Sequence, residues 1–335
     1  MRHQDLWTDA VVVSVTDVAS SVREIRFRPD VMLPSYAPGS HLDVTVLVGA
    51  RTDHRSYSLV GAPEGDTLKI AVKAQPNSRG GSRYMWSLAA GSRIRVSAPV
   101  CAFELLPGSP DYLLLAGGIG ITPLVGMAEA LVRQGSNFRL LYAAQSEADI
   151  AYRDLLVSEL GKRVEFFPSD RSRMDLKPEI GKLHRQGELY VCGPMRMLDA
   201  ARRLWEEAGR TPSKLRYETF GSSGHFASHP FVVNIPRLGV TVNVPESQSI
   251  LDALTEAGVS VLSDCERGEC GVCVLDVIET QGTIDHRDVF FSAQQQALNN
   301  KICACVSRVA GRSITVEPPF REDCSPGPDI YASAE

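Results

Sequence analysis

Three cysteines, Cys265, Cys270 and Cys273, fall within nine residues towards the C-terminal end of the chain. Four residues separate the first pair and two separate the second, and more thiols follow, which is the spacing of a [2Fe–2S] cluster held by four thiolates. A structural zinc site favours two close cysteine pairs instead. Gly268 and Gly271 permit the positive φ angles with which a tight loop turns its backbone towards the sulfurs. The pattern predicts an iron–sulfur electron carrier.

A second set of residues is suited to an anionic cofactor. In the segment Arg55–Ser58, on a predicted strand, the arginine has a planar guanidinium whose N–H donors suit a phosphate. The tyrosine of this segment offers an aromatic face, and its serines offer short hydroxyls. The turn Gly80–Ser82 opens a predicted helix, whose free backbone N–H groups suit an anion. Each signal is weak alone, but together they resemble the flavin-binding barrel of the ferredoxin reductase superfamily. The residues assigned to this site are Arg55, Ser56, Tyr57, Ser58, Val72, Lys73, Gly80, Gly81 and Ser82.

A third motif suits a nucleotide. The apolar run Tyr112–Ala116 is typical of a parallel strand buried on both faces, and it leads through a glycine turn into the helical pattern Leu124–Arg133. Strand, glycine turn and helix N-terminus form a pyrophosphate cradle, with a proline expected at the first helical position. The motif resembles the pyridine-nucleotide domain of the same superfamily. Its predicted binding residues are Gly118, Gly120, Thr122 and Pro123.

The elements around these motifs fall into three groups. Residues 1–108 show apolar–polar alternation, as in half-buried antiparallel strands, and suggest a small closed barrel. Strands then alternate with helices such as Ile150–Leu160, which indicates a parallel sheet with helices on both faces. Beyond the small, polar and flexible linker 221–230, strands flank the helix Ile250–Ala257, as in a β-grasp ferredoxin.

Composition limits the classes of function. The chain has 335 residues, of which 44% are hydrophobic and 22% charged, as in an ordinary globular protein of two or three domains. No apolar run reaches the roughly 18 residues of a membrane span, and no signal sequence is evident. A net charge of −5 gives no indication of nucleic-acid binding. Clustered cysteines without a signal favour a reducing cytoplasm.

The order of these motifs resembles the phthalate dioxygenase reductase and vanillate O-demethylase reductase family along nearly the whole chain. The resemblance implies a multidomain fold: an antiparallel β-barrel for FMN, an α/β parallel-sheet domain for NAD, and an α+β β-grasp ferredoxin of the plant type. The corresponding boundaries are an FMN domain at 1–108, an NAD domain at 109–220, a linker at 221–230, a ferredoxin domain at 231–320 and a C-terminal tail at 321–335.

The resemblance also assigns roles near the reacting centre. Cys192, Gly193 and Pro194 match the family's Cys-Gly-Pro turn beside the nicotinamide, although Cys192 also suits a small buried residue at a strand end. Glu218 and Phe220 match an acidic residue and an aromatic residue that covers the flavin. Cys192, Glu218 and Phe220 are therefore the predicted catalytic residues, and Cys192, Gly193, Pro194 and Phe220 are also expected to contact cofactors.

The fourth cluster ligand is either Cys303 or Cys305. When the chain is aligned on the family's last apolar run, Cys305 is the fourth ligand beside Cys265, Cys270 and Cys273, and Cys303 falls on an apolar position.

The nucleotide is expected to be NADH. Relatives often have an arginine before the serine where this chain has Gln145 and Ser146, and Asp170 is expected to bind the nucleotide in a pocket poorly equipped for a 2′-phosphate. Arg171 and Arg173 argue for NADPH.

The resemblance implies a reductase that passes electrons from NADH through FMN to the [2Fe–2S] cluster. The implied acceptor is a Rieske-type terminal oxygenase acting on an aromatic or similar small organic acid. Neither nucleic acid nor membrane is an expected partner. The alternatives are an FAD-containing NAD(P)H reductase with another acceptor and a redox-sensing flavin and iron–sulfur protein without turnover.

Overall fold

A computed structural model divides the chain into two compact units, Met1–Phe220 and Gly221–Glu335. The predicted tail 321–335 and part of the predicted linker lie outside the residues that it describes. Within the described residues, no helix is both long and apolar enough to cross a membrane. The described residues are 6–49, 51–75, 80–220, 224–226 and 228–319.

The first half of unit 1 is the predicted antiparallel barrel. Alternating side chains face its interior, as in β6, where Ile94 and Val96 are buried and Arg93 and Arg95 are exposed. The strand order is β4-β3-β6-β1-β2-β5, and a bridge between Leu59 and Ile70 joins the two ends of this sheet. The elements are β1 (Trp7–Ala19), β2 (Val22–Pro29), β3 (Ser40–Val48), β4 (Arg51–Ser58), β5 (Leu68–Lys73), α1 (Gly81–Trp86), β6 (Arg93–Ser97) and β7 (Val100–Cys101).

The second half of unit 1 is the predicted parallel sheet. Its strand order is β10-β9-β8-β11-β12, and every pairing is parallel. The fully buried strand β8 lies at its centre. The elements are β8 (Tyr112–Gly117), α2 (Ile121–Arg133), β9 (Phe138–Ala144), α3 (Arg153–Leu160), β10 (Val164–Pro168), α4 (Leu176–Lys182), β11 (Glu188–Cys192), α5 (Met195–Glu207) and β12 (Leu215–Glu218).

Two helix starts differ from the sequence prediction. Helix α2 begins at Ile121, so Pro123 occupies the third helical position rather than the first. The proline is still tolerated, because the first four N–H groups of a helix have no partner within it. Helix α3 begins at Arg153 and not at Ile150, because Tyr152 has a left-handed φ of 59° that interrupts the helical path.

Close backbone contacts join the barrel to the parallel sheet within unit 1. A side chain at Gly126 of α2 would meet the Cα of Gly61 at 3.4 Å. The hydroxyls of Ser20 and Ser21 donate to one carboxylate oxygen of Asp149 at 3.0 and 2.9 Å. These contacts fix the barrel and the parallel sheet relative to each other within unit 1.

Unit 2 contains a mixed sheet over one main helix. The strand order is β14-β13-β17-β15-β16, and β13 and β17 run parallel. Ser249 and Asp252 form a reciprocal capping box at the start of α6, which sets where this helix begins. The elements are β13 (Phe231–Ile235), β14 (Val240–Val244), α6 (Ile250–Glu256), β15 (Val274–Asp285), α7 (Ala293–Ala297), β16 (Lys301–Cys303) and β17 (Arg308–Glu317).

The described part of the predicted linker is hydrogen-bonded to the rest of unit 2. Asp285 and Arg287 form a buried ion pair at 2.7 Å. The Asp285 carboxylate accepts from the backbone N–H of His225, and Arg287 donates to the carbonyl of Phe226 and the hydroxyl of Ser228. A buried ion pair needs further hydrogen-bond partners, and this part of the predicted linker supplies them. The small, polar composition of the linker does not reveal these contacts.

Candidate functional site

The carboxyl edge of the parallel sheet forms the floor of a crevice. The chain proceeds from β8 outward to β9 and β10, and then returns to β11 on the other side of β8. Such a switch point between two parallel strands is where ligands bind in open α/β sheets. Ala116, Cys192 and Glu218 are register partners across β8, β11 and β12. The predicted catalytic residues Cys192 and Glu218 therefore lie side by side at this edge.

Glycines let the two loops above the crevice meet. A Cβ atom at Gly120 would lie 2.1 Å from the carbonyl oxygen of Cys192, and one at Gly117 would lie 2.5 Å from Pro194. Gly193 approaches Gly117 in the same way, since its Cβ would meet the Cα of Gly117 at 3.0 Å. The predicted pyrophosphate turn and the predicted Cys-Gly-Pro turn thus interlock through backbone contacts.

The remaining residues of the predicted pyrophosphate turn have structural contacts of their own. Gly118 has a φ of 54°, within the left-handed region that favours glycine. The buried hydroxyl of Thr122 donates to the carbonyl of Ile119 at 3.0 Å and so stabilises the first turn of α2. Pro123 is buried one residue later.

The two predicted flavin segments meet on the barrel. A Cβ atom at Gly81 would lie 3.0 Å from the side chain of Arg55, so this arginine lies along the turn that opens α1. The Arg55 guanidinium is paired with the carboxylate of Asp53 at 2.6 Å and remains partly exposed. It is therefore held in one place and accessible to a phosphate group. Gly80, with a φ of 105°, packs against Val48.

Two buried hydroxyls indicate whether a flavin fits the residues present. The Oγ of Ser58 and the Oγ1 of Thr219 are buried and have no hydrogen-bond partner among the described residues. A buried hydroxyl without a partner is costly, so a bound group that supplies polar atoms would offset this cost. A flavin ring carries such polar atoms along its edge. The residues present therefore fit a flavin.

Electrostatics place Glu218 near these groups. Burial raises the pKa of the Cys101 thiol, a hydrogen bond with Ser40 opposes the rise, and the carboxylates of Glu104 and Glu218 add to it. Ser40 also accepts the backbone N–H of Leu59, directly after Ser58. The end of β12 and the end of β4 therefore lie at one place, between barrel and sheet.

The other predicted flavin residues are divided between the two faces of the barrel. The hydroxyl of Ser56 donates to Asp43 at 2.5 Å on the outer face, opposite to Arg55 and Tyr57. Burial raises the pKa of Tyr57, so its hydroxyl stays protonated. Val72 lies in the barrel core, and its carbonyl accepts the indole N–H of Trp86.

The rest of the predicted site residues lie at the margins of these two sites. Lys73 is partly exposed at the end of β5. Asp170 is exposed just after β10, and Phe220 is 37% exposed just after β12. Their predicted roles stay predictions.

Backbone N–H groups of the cysteine loop in unit 2 point towards the sulfur of Cys265. The N–H groups of Arg267, Glu269 and Cys270 each donate to the Sγ of Cys265 at 3.4 Å. Gly271 has a φ of 74°, in the left-handed region that favours glycine, and a Cβ atom there would lie 2.2 Å from the ring of Phe290.

The thiols form two neighbouring groups. Cys270 interacts with Cys265, whereas hydrogen bonds from Cys303 and Cys305 lower the pKa of the Cys273 thiol to about 3. Among the described residues, no three His, Cys, Asp or Glu side chains meet as around a single ion. A [2Fe–2S] cluster needs no such arrangement, because its four sulfurs are divided between two irons. The donor set fits this cluster.

The surroundings of Cys303 and Cys305 differ. The Cys305 thiol interacts with the backbone N–H of Gly268 and with Cys265, both in the cysteine loop. Both thiols interact with Cys273 and with each other, but the further partner of the Cys303 thiol is Asp288, outside the cysteine loop. This arrangement is consistent with Cys305 as the fourth ligand, which stays a prediction.

Comparison with known proteins is decisive for the family. Residues 233–310 match the 2Fe-2S iron-sulfur cluster binding domain, and residues 114–203 match the oxidoreductase NAD-binding domain. The phthalate 4,5-dioxygenase oxygenase reductase subunit of Pseudomonas putida is 33% identical over 91% of this chain and 94% of its own length. The chain belongs to the phthalate dioxygenase reductase family.

Two further relatives agree with this membership. The solved structure of a phthalate dioxygenase reductase superposes with a TM-score of 0.72 at 28% identity, covering 93% of this chain and 98% of that chain. That protein is described as a modular structure for electron transfer from pyridine nucleotides to [2Fe-2S]. The heme-dependent oxidative N-demethylase beta subunit of Ectopseudomonas mendocina is 33% identical over 92% of this chain and 98% of its own length.

Several sequence predictions are thereby confirmed for this phthalate dioxygenase reductase-type chain. The family, the multidomain fold, the NAD-binding and [2Fe–2S] domains and the assignment as an oxidoreductase are all correct. Sequence reasoning missed Thr219, whose hydroxyl is buried beside Glu218, and the buried pair Ser40 and His41 opposite the end of β4. The sequence signal for Thr219 was its position between Glu218 and Phe220, whereas Ser40 and His41 adjoin no predicted site residue.

Proposed function

We propose that this chain is the NADH-dependent reductase component of a Rieske-type oxygenase system. It takes electrons from NADH, passes them by way of bound FMN to its own [2Fe–2S] cluster, and delivers them to a terminal oxygenase acting on an aromatic or similar small organic acid. The relatives named for phthalate oxygenation support the class of partner and substrate. The predicted cytoplasmic location is part of the same proposal.

One observation supports this function most strongly: a nucleotide-binding domain and a [2Fe–2S] domain with its cysteine loop occur in one chain. NADH gives up two electrons together as a hydride, whereas a [2Fe–2S] cluster accepts one. A flavin, which holds one or two electrons, supplies the conversion between the two carriers. The hydroxyls of Ser58 and Thr219, which are buried without a partner among the described residues, and the partly exposed guanidinium of Arg55 support a flavin between barrel and sheet.

The chain's own residues have defined tasks in this proposal. Arg55 binds the phosphate of FMN, and the interlocked turns at Gly120 and Gly193 hold the pyrophosphate of NADH. Cys192 and Glu218 line the edge at which the nicotinamide binds, and the burial of both excludes water from that edge. The thiolates of the cysteine loop bind the irons.

A second candidate differs only in the acceptor. The relative from Ectopseudomonas mendocina is named as a subunit of a heme-dependent demethylase, and this chain covers 98% of it. A haem-containing terminal component is therefore the alternative acceptor.

Reconstitution distinguishes these candidates. The purified chain is mixed with NADH and either a Rieske oxygenase or a haem-containing monooxygenase, without added ferredoxin, and product is measured against NADH consumed. The proposal expects coupled turnover with the Rieske component. Turnover only with the haem component, or only after adding free ferredoxin, would contradict it.

A further inference from the structure

Glu147 lies where the far end of a bound dinucleotide must pass. It is the first residue of the turn Glu147–Asp149, which follows β9 at the carboxyl edge of the parallel sheet. The nicotinamide end belongs at the β8–β11 switch point, and β12 leads from there to the flavin residues. The adenosine half must therefore extend in the other direction, over β9 and β10.

Hydrogen bonds hold the loops after β9 and β10 side by side. Ala144 and Pro168 are the last register partners of the two strands. The backbone N–H and the hydroxyl of Ser169 both donate to the carbonyl of Ala144, at 2.9 and 3.0 Å. Residues that follow these strands therefore face the same part of the crevice.

The Glu147 carboxylate is placed between two arginines in this region. One of its oxygens binds the Nε of Arg153 at 2.6 Å, and the other lies 4.0 Å from a terminal nitrogen of Arg171. Arg153 is further held over the ring of Phe166, at 5.1 Å from its centroid. A phosphate entering this region would therefore meet the negative charge of Glu147 next to both arginines.

We propose that Glu147 selects NADH over NADPH. Its carboxylate accepts a hydrogen bond from the 2′-hydroxyl of the adenosine ribose, repels a 2′-phosphate, and keeps Arg153 and Arg171 paired. Acidic residues that bind this hydroxyl, and arginines that accept the phosphate, are the general means of discrimination in dinucleotide domains. The inference rests on the proposed NADH-dependent function and explains why Arg171 does not favour NADPH.

The test compares Glu147→Gln with the wild-type holoenzyme, using ferricyanide as the electron acceptor. Removing one negative charge near a phosphate is expected to raise kcat/KM for NADPH by about tenfold or more, through KM. The value for NADH should change by less than about threefold, because the amide still offers an acceptor oxygen. Adding Arg171→Ala to Glu147→Gln should remove most of the NADPH gain. Glu159→Gln, an exposed carboxylate on α3, is the matched control and should change neither value.

Direct binding gives a second measurement that does not depend on turnover. Calorimetry with adenosine 2′,5′-bisphosphate and with 5′-AMP isolates the ribose contact. Glu147→Gln should strengthen binding of the bisphosphate by about tenfold and leave 5′-AMP nearly unchanged. Equal changes for both ligands, no change, or a gain with Asp170→Asn instead would overturn the proposal. If the wild type oxidises neither nucleotide, the reductase function fails, whereas these binding ratios still decide the role of Glu147.

Discussion

The substitution Gly120→Ala should separate the two interlocked turns of the nucleotide crevice. Gly120 has helical backbone angles that any residue adopts, so only space limits this position. The new Cβ would lie 2.1 Å from the carbonyl oxygen of Cys192, whereas ordinary contacts begin at 3.4 Å. The start of α2 and the end of β11 must therefore move apart by more than about 1 Å, an overpacking that typically costs about 1–3 kcal/mol.

The same movement should weaken nucleotide binding. We expect Gly120→Ala to lower the free energy of unfolding of unit 1 by about 2 kcal/mol and to weaken NADH binding at least tenfold, about 1.4 kcal/mol. Tryptophan fluorescence during urea unfolding isolates unit 1, because Trp7, Trp86 and Trp205 all belong to it. Iron content, which depends on the cysteine loop of unit 2, should not change.

Gly181→Ala is the matched control in the same subdomain. Gly181 lies within α4, and a Cβ atom there would meet nothing within 4 Å. Because alanine favours a helix more than glycine does, this variant should be up to about 1 kcal/mol more stable than the wild type. The reasoning is refuted if Gly120→Ala proves as stable as Gly181→Ala and binds NADH as the wild type does.

Three further predictions follow from the sites. Cys192→Ala should slow flavin reduction by NADH at least about tenfold, because it removes a side chain from the reacting edge. The rate is measured by anaerobic stopped flow, and the flavin and iron contents should not change. An unchanged rate would mean that Cys192 is only structural. Cys305→Ser should abolish the visible absorbance of the cluster and Cys303→Ser should keep most of it, and the reverse would reassign the ligand. Hydrogen bonds from serines, the one from Ser146 above all, lower the pKa of Asp149. That stabilisation is present above the unfolded pKa near 4 and disappears as pH falls through the folded value, so Asp149→Asn should flatten the acid dependence of the urea midpoint.

The sequence indicates the bounds of some short strands but not of all. Arg93–Ser97, Phe231–Ile235 and Val240–Val244 alternate between apolar and other residues, and each pattern is bounded by glycine, proline or polar residues. The edge strand Leu215–Glu218 was not predicted as a strand. Its residues are mostly half-buried, so it shows neither a continuous apolar run nor a strict alternation.

Some parts of the candidate site were also predictable from the sequence, and others were not. Motifs such as Arg55–Ser58 and Cys265–Cys273 carry their chemistry in adjacent residues, so spacing alone reveals them. The burial of Thr219 and the contact of Gly120 with Cys192 arise only when β12, β11 and α2 are packed together. Likewise, Glu147 is an ordinary acidic residue in the sequence, and its position between Arg153 and Arg171 depends on the pairing of β9 with β10.

The most direct test is whether NADH alone reduces the chain's own iron–sulfur cluster. The purified protein is mixed with NADH without oxygen or any other protein, and the paramagnetic signal of the reduced [2Fe–2S] cluster is recorded by electron spin resonance. We predict that the signal appears together with bleaching of the flavin, and that Cys305→Ser shows bleaching without the signal. Flavin bleaching in the wild type with the cluster left oxidised, or a signal that needs added ferredoxin, would contradict the proposed electron path.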